Sequence, residues 1–183
     1  MNTLQSDILH TERLMLREMT PETYNRVMSK FTDSEIKKFF GIKSNEELEL
    51  EKLRFKQGMT MSGKTFLYFH LVEKSSSQVL GWCGYHTWFK LHRRAEIGYV
   101  LNEDAYKRKG YMKEALPEVI RYGFEEMDLN RIEALVSPDN NPSLKLINNN
   151  GFTREGLLRE NYMSKNKLDD SIIFSLLRRE YIK

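Results

Sequence analysis

The feature that most restricts the fold lies between residues 95 and 136, where an apolar run, a basic loop, an amphipathic helix and a second apolar run follow one another. Ala95, Ile97, Tyr99, Val100 and Leu101 make a short strand-like segment. Downstream, Met112, Ala115, Leu116, Val119, Ile120, Phe124 and Met127 recur at helical spacing, forming a stripe that can lie on a sheet. Lys113, Glu114, Glu118, Arg121, Glu125 and Glu126 occupy the opposite face. A strand at Arg131–Val136 closes the unit. A strand–helix–strand unit set after a run of strands implies a mixed sheet with helices on its faces. The fold class is therefore α/β or α+β.

The flanking segments fit this frame. Residues 8–19 read as a first strand, and Thr20-Pro21-Glu22 opens a helix through Tyr24, Val27, Met28 and Phe31, with Thr20 as cap and Pro21 at the first helical position. A second helix spans residues 44–58, capped by Ser44 with Glu47 three residues on and closed by Gly58. Strands follow at residues 66–72 and 79–89, joined by the polar link 74–78, and residues 95–101 continue the meander. Beyond the long helix (residues 111–127), a short helix covers residues 142–149 and two last strands cover 152–162 and 171–177. With 183 residues, 40% of them hydrophobic, one domain over the whole chain is expected.

The net charge of +3, with 30% charged residues, points neither to a disordered polyelectrolyte nor to a nucleic-acid scaffold. No apolar run approaches the roughly 18 residues needed to cross a bilayer, and residues 1–7 show no basic start leading into an apolar stretch, so a cytoplasmic protein is expected. A single cysteine, Cys83, excludes an intrachain disulfide and a cysteine-based zinc site, and no metal is expected.

Immediately before the long helix stands Lys107-Arg108-Lys109-Gly110. Free amides at a helix start, the positive end of its dipole and nearby cations converge on one spot, which favours phosphate groups. Gly110 lets a ligand approach the main chain. A solvated basic turn would have the same composition, and neither a GxGxxG nor a GxxxxGK[ST] pattern is present.

The run Ala95-Glu96-Ile97-Gly98-Tyr99-Val100-Leu101, followed by Lys107-Arg108-Lys109-Gly110-Tyr111-Met112-Lys113-Glu114-Ala115-Leu116, resembles the acyl-CoA-binding motif of the GNAT superfamily of N-acetyltransferases. Two positions depart from [Gln/Arg]-x-x-Gly-x-[Gly/Ala]: Lys107 and Met112. Thr11-Glu12-Arg13-Leu14-Met15-Leu16-Arg17, Asn130-Arg131-Ile132-Glu133-Ala134, the Pro138, Asn140, Ser143, Leu144 and Leu146 pattern, and Asn150-Gly151-Phe152 resemble the ribosomal-protein (RimJ/RimL-like) branch. The resemblance implies a mixed, mostly antiparallel sheet of about seven strands flanked by helices. It implies acetyl-CoA as cosubstrate, bound by Tyr99, Val100, Leu101, the segment Lys107, Arg108, Lys109, Gly110, Tyr111, Met112 and Lys113, and by Asn140 and Ser143.

Such chemistry needs a neutral amine to attack a thioester directly, a group to accept the amine proton and a group to protonate the departing thiolate. The tyrosine that many of these enzymes use as acid is replaced here by Ile147, and the resemblance offers Ser143 instead. Ser143 could equally satisfy a backbone amide in a first helical turn, and Asn140 could bond its own backbone. Glu96, set among Ala, Ile, Gly, Tyr, Val and Leu, is a candidate base whose desolvation would raise its pKa. A salt bridge with Arg93, Arg94 or a neighbouring strand is its plainer role. Glu160, in the final hairpin, is a second candidate, and His86, His70 and His92 rank below both. Pro117 lies inside the long helix and removes one of its hydrogen bonds.

The expected partner is an amine, either a protein N-terminal α-amine such as that of a ribosomal protein or a small amine. Neither membrane nor direct nucleic-acid binding is expected, and the chain is a monomer or homodimer. The alternatives are a non-catalytic acyl-CoA-binding regulatory module, motivated by Ile147 and Met112, and a nucleic-acid binder using Lys107-Arg108-Lys109 and Arg93-Arg94.

Overall fold

A computed structural model describes residues 8–58, 63–164 and 166–181. Its strands are β1 (Ile8–His10), β2 (Leu14–Met19), β3 (Thr65–Glu73), β4 (Val79–Phe89), β5 (Arg94–Leu101), β6 (Arg131–Val136), β7 (Thr153–Ser164) and β8 (Lys167–Leu177). Its helices are α1 (Pro21–Lys30), α2 (Asp33–Phe40), α3 (Asn45–Gln57), α4 (Tyr111–Glu125) and α5 (Asn141–Asn149). The strands form one sheet in the order β1-β2-β3-β4-β5-β6-β8-β7, antiparallel throughout except for β5 beside β6. That is a mixed, mostly antiparallel sheet flanked by helices, as expected, with eight strands rather than about seven.

The extra strand arises because residues 8–19 are not one strand. The chain turns at Thr11, whose amide donates to the Leu14 carbonyl, and folds back so that His10 pairs with Met15. The sequence reading also passed over α2. Thr32 and Glu35 form a capping box at its start and Gly41, at φ 73°, closes it in left-handed backbone.

Alternation along β3 divides the interior in two. Leu67, Phe69 and Leu71 join Leu14, Leu16 and the buried stripe Ala115, Leu116, Val119, Ile120 and Phe124 of α4. On the other face, Phe66 joins Met19 of β2 and Tyr24, Val27, Ile36, Phe39 and Leu48 of the N-terminal helices. Helix α4 runs unbroken through Pro117. It is fixed to β4 by Tyr85, whose buried hydroxyl donates to the Val119 carbonyl at 2.8 Å. The ring fits only because residue 123 is glycine: a Cβ there would lie 2.1 Å from Tyr85 Oη and 2.7 Å from its Cζ. Gly123→Ala should therefore overpack the α4–β4 contact and cost about 1–3 kcal/mol. Thermal and urea unfolding against the wild type would measure the loss.

Candidate active site

The parallel ladder between β5 and β6 is short. Arg94, Ala95 and Glu96 pair with Arg131, Ile132 and Glu133, and beyond that point the two strands separate although both continue. The separation opens a cleft of about 170 Å³ lined by Glu96, Ile97, Gly98, Tyr99, Ala134, Leu135, Val136, Ser137, Asn140, Ser143 and His86. Main-chain groups on the parted edges have no ladder partner across the gap, so they are available to an extended, amide-containing ligand.

Within the cleft, Asn140 caps α5: its side chain accepts from the Ser143 amide at 3.2 Å, leaving its amide nitrogen for another partner. The Ser143 backbone is thus fixed while its hydroxyl faces Tyr99. Tyr99 Oη is buried without a hydrogen-bond partner. Burial raises its pKa, and the neighbouring Ser143 hydroxyl works against the rise without reaching good hydrogen-bond geometry. An orphaned phenol in a polar cleft marks a place where a ligand atom completes the bonding. Ile147, by contrast, is fully buried in the main core, so no proton donor stands at that position.

The basic loop lies at the start of α4. Arg108 and Gly110 take left-handed backbone (φ 60° and 84°), a turn chemistry that directs successive amides into one concavity. Gly110 caps α4 with no side-chain hydrogen bond, so the first helix amides are not covered by a cap. Lys107 is paired with Asp104 at 2.6 Å, and Met112 packs partly buried against the core rather than facing the loop. Lys113 is exposed and Tyr111 is largely buried, its hydroxyl donating to Glu73.

In the sequence Arg13 is one residue of an expected strand, but the structure gives it a larger part. Its Nη1 donates to the Lys109 carbonyl at 2.9 Å and its Nε to Glu114 at 2.7 Å, and its guanidinium stacks over the Tyr111 ring. Burial pushes the Glu114 carboxyl up, but bonds from Thr11, the Arg13 amide and the Arg13 guanidinium outweigh it and hold the group below the usual carboxylate range. Arg13 so ties the first strands to the loop across the top of α4.

A second, larger groove of about 720 Å³ opens between β3–β5 and the N-terminal helices. Its lining includes Tyr68, His70, Trp82, Val100, Leu101 and His86. Val100 and Leu101 border this groove rather than the β5–β6 cleft, Val100 by its exposed side chain while the Leu101 side chain packs against the main core. His86 lines both spaces. It is the extra residue of a β-bulge, since Tyr85 pairs with Ile97 and Thr87 with Glu96, and a bulge turns one side chain away from the regular alternation. Gly98 clears the room for it: a Cβ on residue 98 would lie 2.6 Å from His86 Cδ2. The imidazole Nε2 stands 3.5 Å from Glu96 Oε1, and Nδ1 is 3.2 Å from Thr87 Oγ1. Burial raises the Glu96 pKa, with His86 pulling the other way and Glu133 adding to the rise. Of the plainer partners expected for Glu96, Arg94 is bonded to Glu133 at 2.8 Å and Arg93 to Asp128, while the neighbouring strand β4 supplies His86.

The structure therefore brings together Glu96, Tyr99, Asn140 and Ser143, and adds His86. It does not bring Glu160 to them. Glu160 is exposed on the outermost strand at a break in the β7–β8 register, its amide donating to Asp170, and it lines neither space. Cys83 is a fully buried core residue whose thiol is pushed far up by burial. His70 is buried too, and His92 is exposed on a turn. No cluster of metal-binding side chains occurs among the described residues.

A family model described as the acetyltransferase (GNAT) domain matches residues 13–153, a span that holds the loop, the cleft and the His86 bulge. The chain belongs to the GNAT acetyltransferase family. It is 37% identical, over 96% of its own length and 98% of the other's, to a Bacillus licheniformis protein named "Uncharacterized N-acetyltransferase p20". It is 30% identical to the Bacillus subtilis "Uncharacterized N-acetyltransferase YoaA", over 93% and 97% of the two chains. Among solved structures, a GNAT-family acetyltransferase from Bacillus anthracis superposes with a TM-score of 0.65 at 26% identity, covering 95% of this chain and all 100% of that one. The ribosomal-protein-S5-alanine acetyltransferase of Vibrio fischeri superposes at 0.67 over 97% of this chain and 100% of that one, and at 21% identity this shows the shared fold. The chain is an N-acetyltransferase, and GNAT acetyltransferases use acetyl-CoA.

If the loop is the diphosphate site, Gly110→Val places a β-branched side chain at positive φ and intrudes on the uncapped amides. Acetyl-CoA affinity by calorimetry should fall by at least about tenfold, and near-normal affinity would remove the loop from that role.

Proposed function

We propose that this enzyme moves an acetyl group from acetyl-CoA directly to a primary amine, a protein N-terminal α-amine or a small amine, without a covalent enzyme intermediate. The observation that carries the reading is the meeting of two spaces at one pair of side chains: the β5–β6 cleft and the large groove share His86, which faces Glu96. Donor and acceptor entering from opposite sides would meet there.

The orphaned Tyr99 hydroxyl, the parted strand edges and the uncapped start of α4 fit the donor. Arg108, Lys109, Gly110 and the first amides of α4 hold the diphosphate, with the Lys107 and Lys113 charges nearby. Tyr99, Asn140 and the edges of β5 and β6 hold the pantetheine arm. Acetyl-CoA supplies, when bound, an acetyl group activated as a thioester. The His86–Glu96 pair accepts the proton that the attacking amine releases. Glu96, half-buried and raised in pKa, is a stronger proton acceptor than an ordinary carboxylate. Ser143, fixed through its amide by Asn140, would donate its hydroxyl proton to the departing thiolate. In this arrangement Glu96 keeps its expected part as proton acceptor but acts with His86, and Glu160 has none.

Ser143→Ala should lower kcat by about 10²–10³-fold while acetyl-CoA affinity changes little, and an unchanged kcat removes Ser143 as the acid. Because Glu96 must be ionised to accept a proton and its pKa is raised, activity should be lost on acidification at a higher pH than an ordinary carboxylate would give. The pH profile of kcat/KM for Glu96→Gln should lack that limb and lie well below the wild type. A profile identical to the wild type excludes Glu96 from the proton path.

A further inference from the structure

The large groove carries chemistry that acetyl transfer alone leaves unspecified. Its floor is aromatic: Tyr68 lies against Trp82 with ring centroids 5.6 Å apart, and Phe40 meets His70 edge-on at 5.4 Å. His70 adds no charge, since burial and the adjoining Arg17 push its pKa down to about 3. The walls are apolar and bare. Leu50 is 57% exposed and Val100 44% exposed, and both face the groove. Contiguous exposed apolar surface of this kind marks a place that a ligand covers.

Two of the three carboxylates lining the groove are ion-paired with its own cations. Glu103 is paired with Lys43, and Glu47 accepts the Lys43 amide at 3.0 Å. Glu51 is paired with Arg54 at 3.0 Å and accepts the buried Tyr24 hydroxyl at 2.6 Å. Below the floor a further positive charge, Arg17, is held by the Phe39 carbonyl and by His70 rather than by a carboxylate. A second ammonium on the acceptor would have to displace an existing ion pair or rely on Glu47 alone, and would approach a buried guanidinium of like sign.

We infer that the amine accepted here is carried on an apolar body of aromatic size, either a free arylalkylamine or the first residue of a peptide, and is not one end of a polyamine. The inference rests on the acetyl-transfer reading, because the groove selects an acceptor only if an amine passes through it to His86. Trp82 is the residue that joins selection to chemistry. Its ring forms part of the floor and meets the His86 imidazole edge-on at 6.3 Å, so an aromatic body seated on the floor leaves its amine beside the proton acceptor.

The test follows release of CoA thiol at saturating acetyl-CoA with tryptamine, phenethylamine, a tryptophan-initiated tetrapeptide amide, putrescine and spermidine as probes. The expected result is a kcat/KM for an aromatic probe at least about tenfold above both polyamines. The faster of the free amines and the peptide then assigns the source of the aromatic group. Trp82→Ala should raise the KM of the aromatic probe by about tenfold or more. Leu50→Lys provides an independent check at an exposed position, where folding is not at stake. It should raise the same KM by at least about tenfold with acetyl-CoA affinity unchanged. Preference for spermidine or putrescine, equal rates for all probes, or a KM within about twofold of wild type in folded Leu50→Lys would overturn the inference while leaving acetyl transfer intact. Binding of acetyl-CoA with no transfer to any of these probes would overturn the inference and, with it, the primary-amine acceptor of the proposed function.

Discussion

The site depends on a parallel strand pair that stops early. Three residues of β5 pair with three of β6, and beyond them the strands part. A continuous ladder there would satisfy every backbone group and leave no opening. Because the pairing ends at Glu96 and Glu133, a carboxylate stands at the point of the wedge, and the cleft above it is lined on both sides by strand edges. β6 is held on its far side by six residue pairs with β8, and β5 by its pairing with β4, so the opening is set in a rigid sheet.

Close packing fixes the chemistry on either side of that wedge, and it does so where side chains are missing. Gly123 admits the Tyr85 ring against α4, and Gly98 admits the His86 imidazole beside Glu96. The two aromatic residues are adjacent in β4 and face opposite ways, Tyr85 into the core and His86 toward the two ligand spaces, with the bulge between Tyr85 and Thr87 accommodating the change. Arg13 does comparable work by charge, joining β2, the basic loop and α4 through Lys109 and Glu114. The anchoring of α4 and the placement of His86 beside Glu96 are therefore parts of one packing arrangement.

Much of this was legible in the residues. The apolar stripe of α4, the basic loop ending in Gly110, the bounds of β4 and β6, and the cap residues Thr20 and Ser44 all follow from local pattern, because periodicity and capping are properties of neighbouring residues. What escaped has equally definite causes. Helix α2 is only eight residues long, too short for periodicity to stand out, and its capping box was the signal available. The turn at Thr11 contains neither glycine nor proline. His86 looked like one more histidine on a strand, because a bulge is a mismatch between two strands and is not written in either one. Glu160 looked suited to the site by its place in the final hairpin, yet β7 lies at the sheet edge, with β8 between it and β6.

By itself the sequence determined the class of fold, the basic, glycine-ended character of the loop and the identity of Glu96, Asn140 and Ser143 as polar residues at well-defined points along the chain. Those are matters of composition, order and short-range spacing. Only the tertiary structure decided which of them share a space. The splay of β5 from β6, the bulge that brings His86 to Glu96 and the pairing of the groove's charges all join residues distant in the chain. Local propensity says nothing about such pairs, and packing across the sheet settles them.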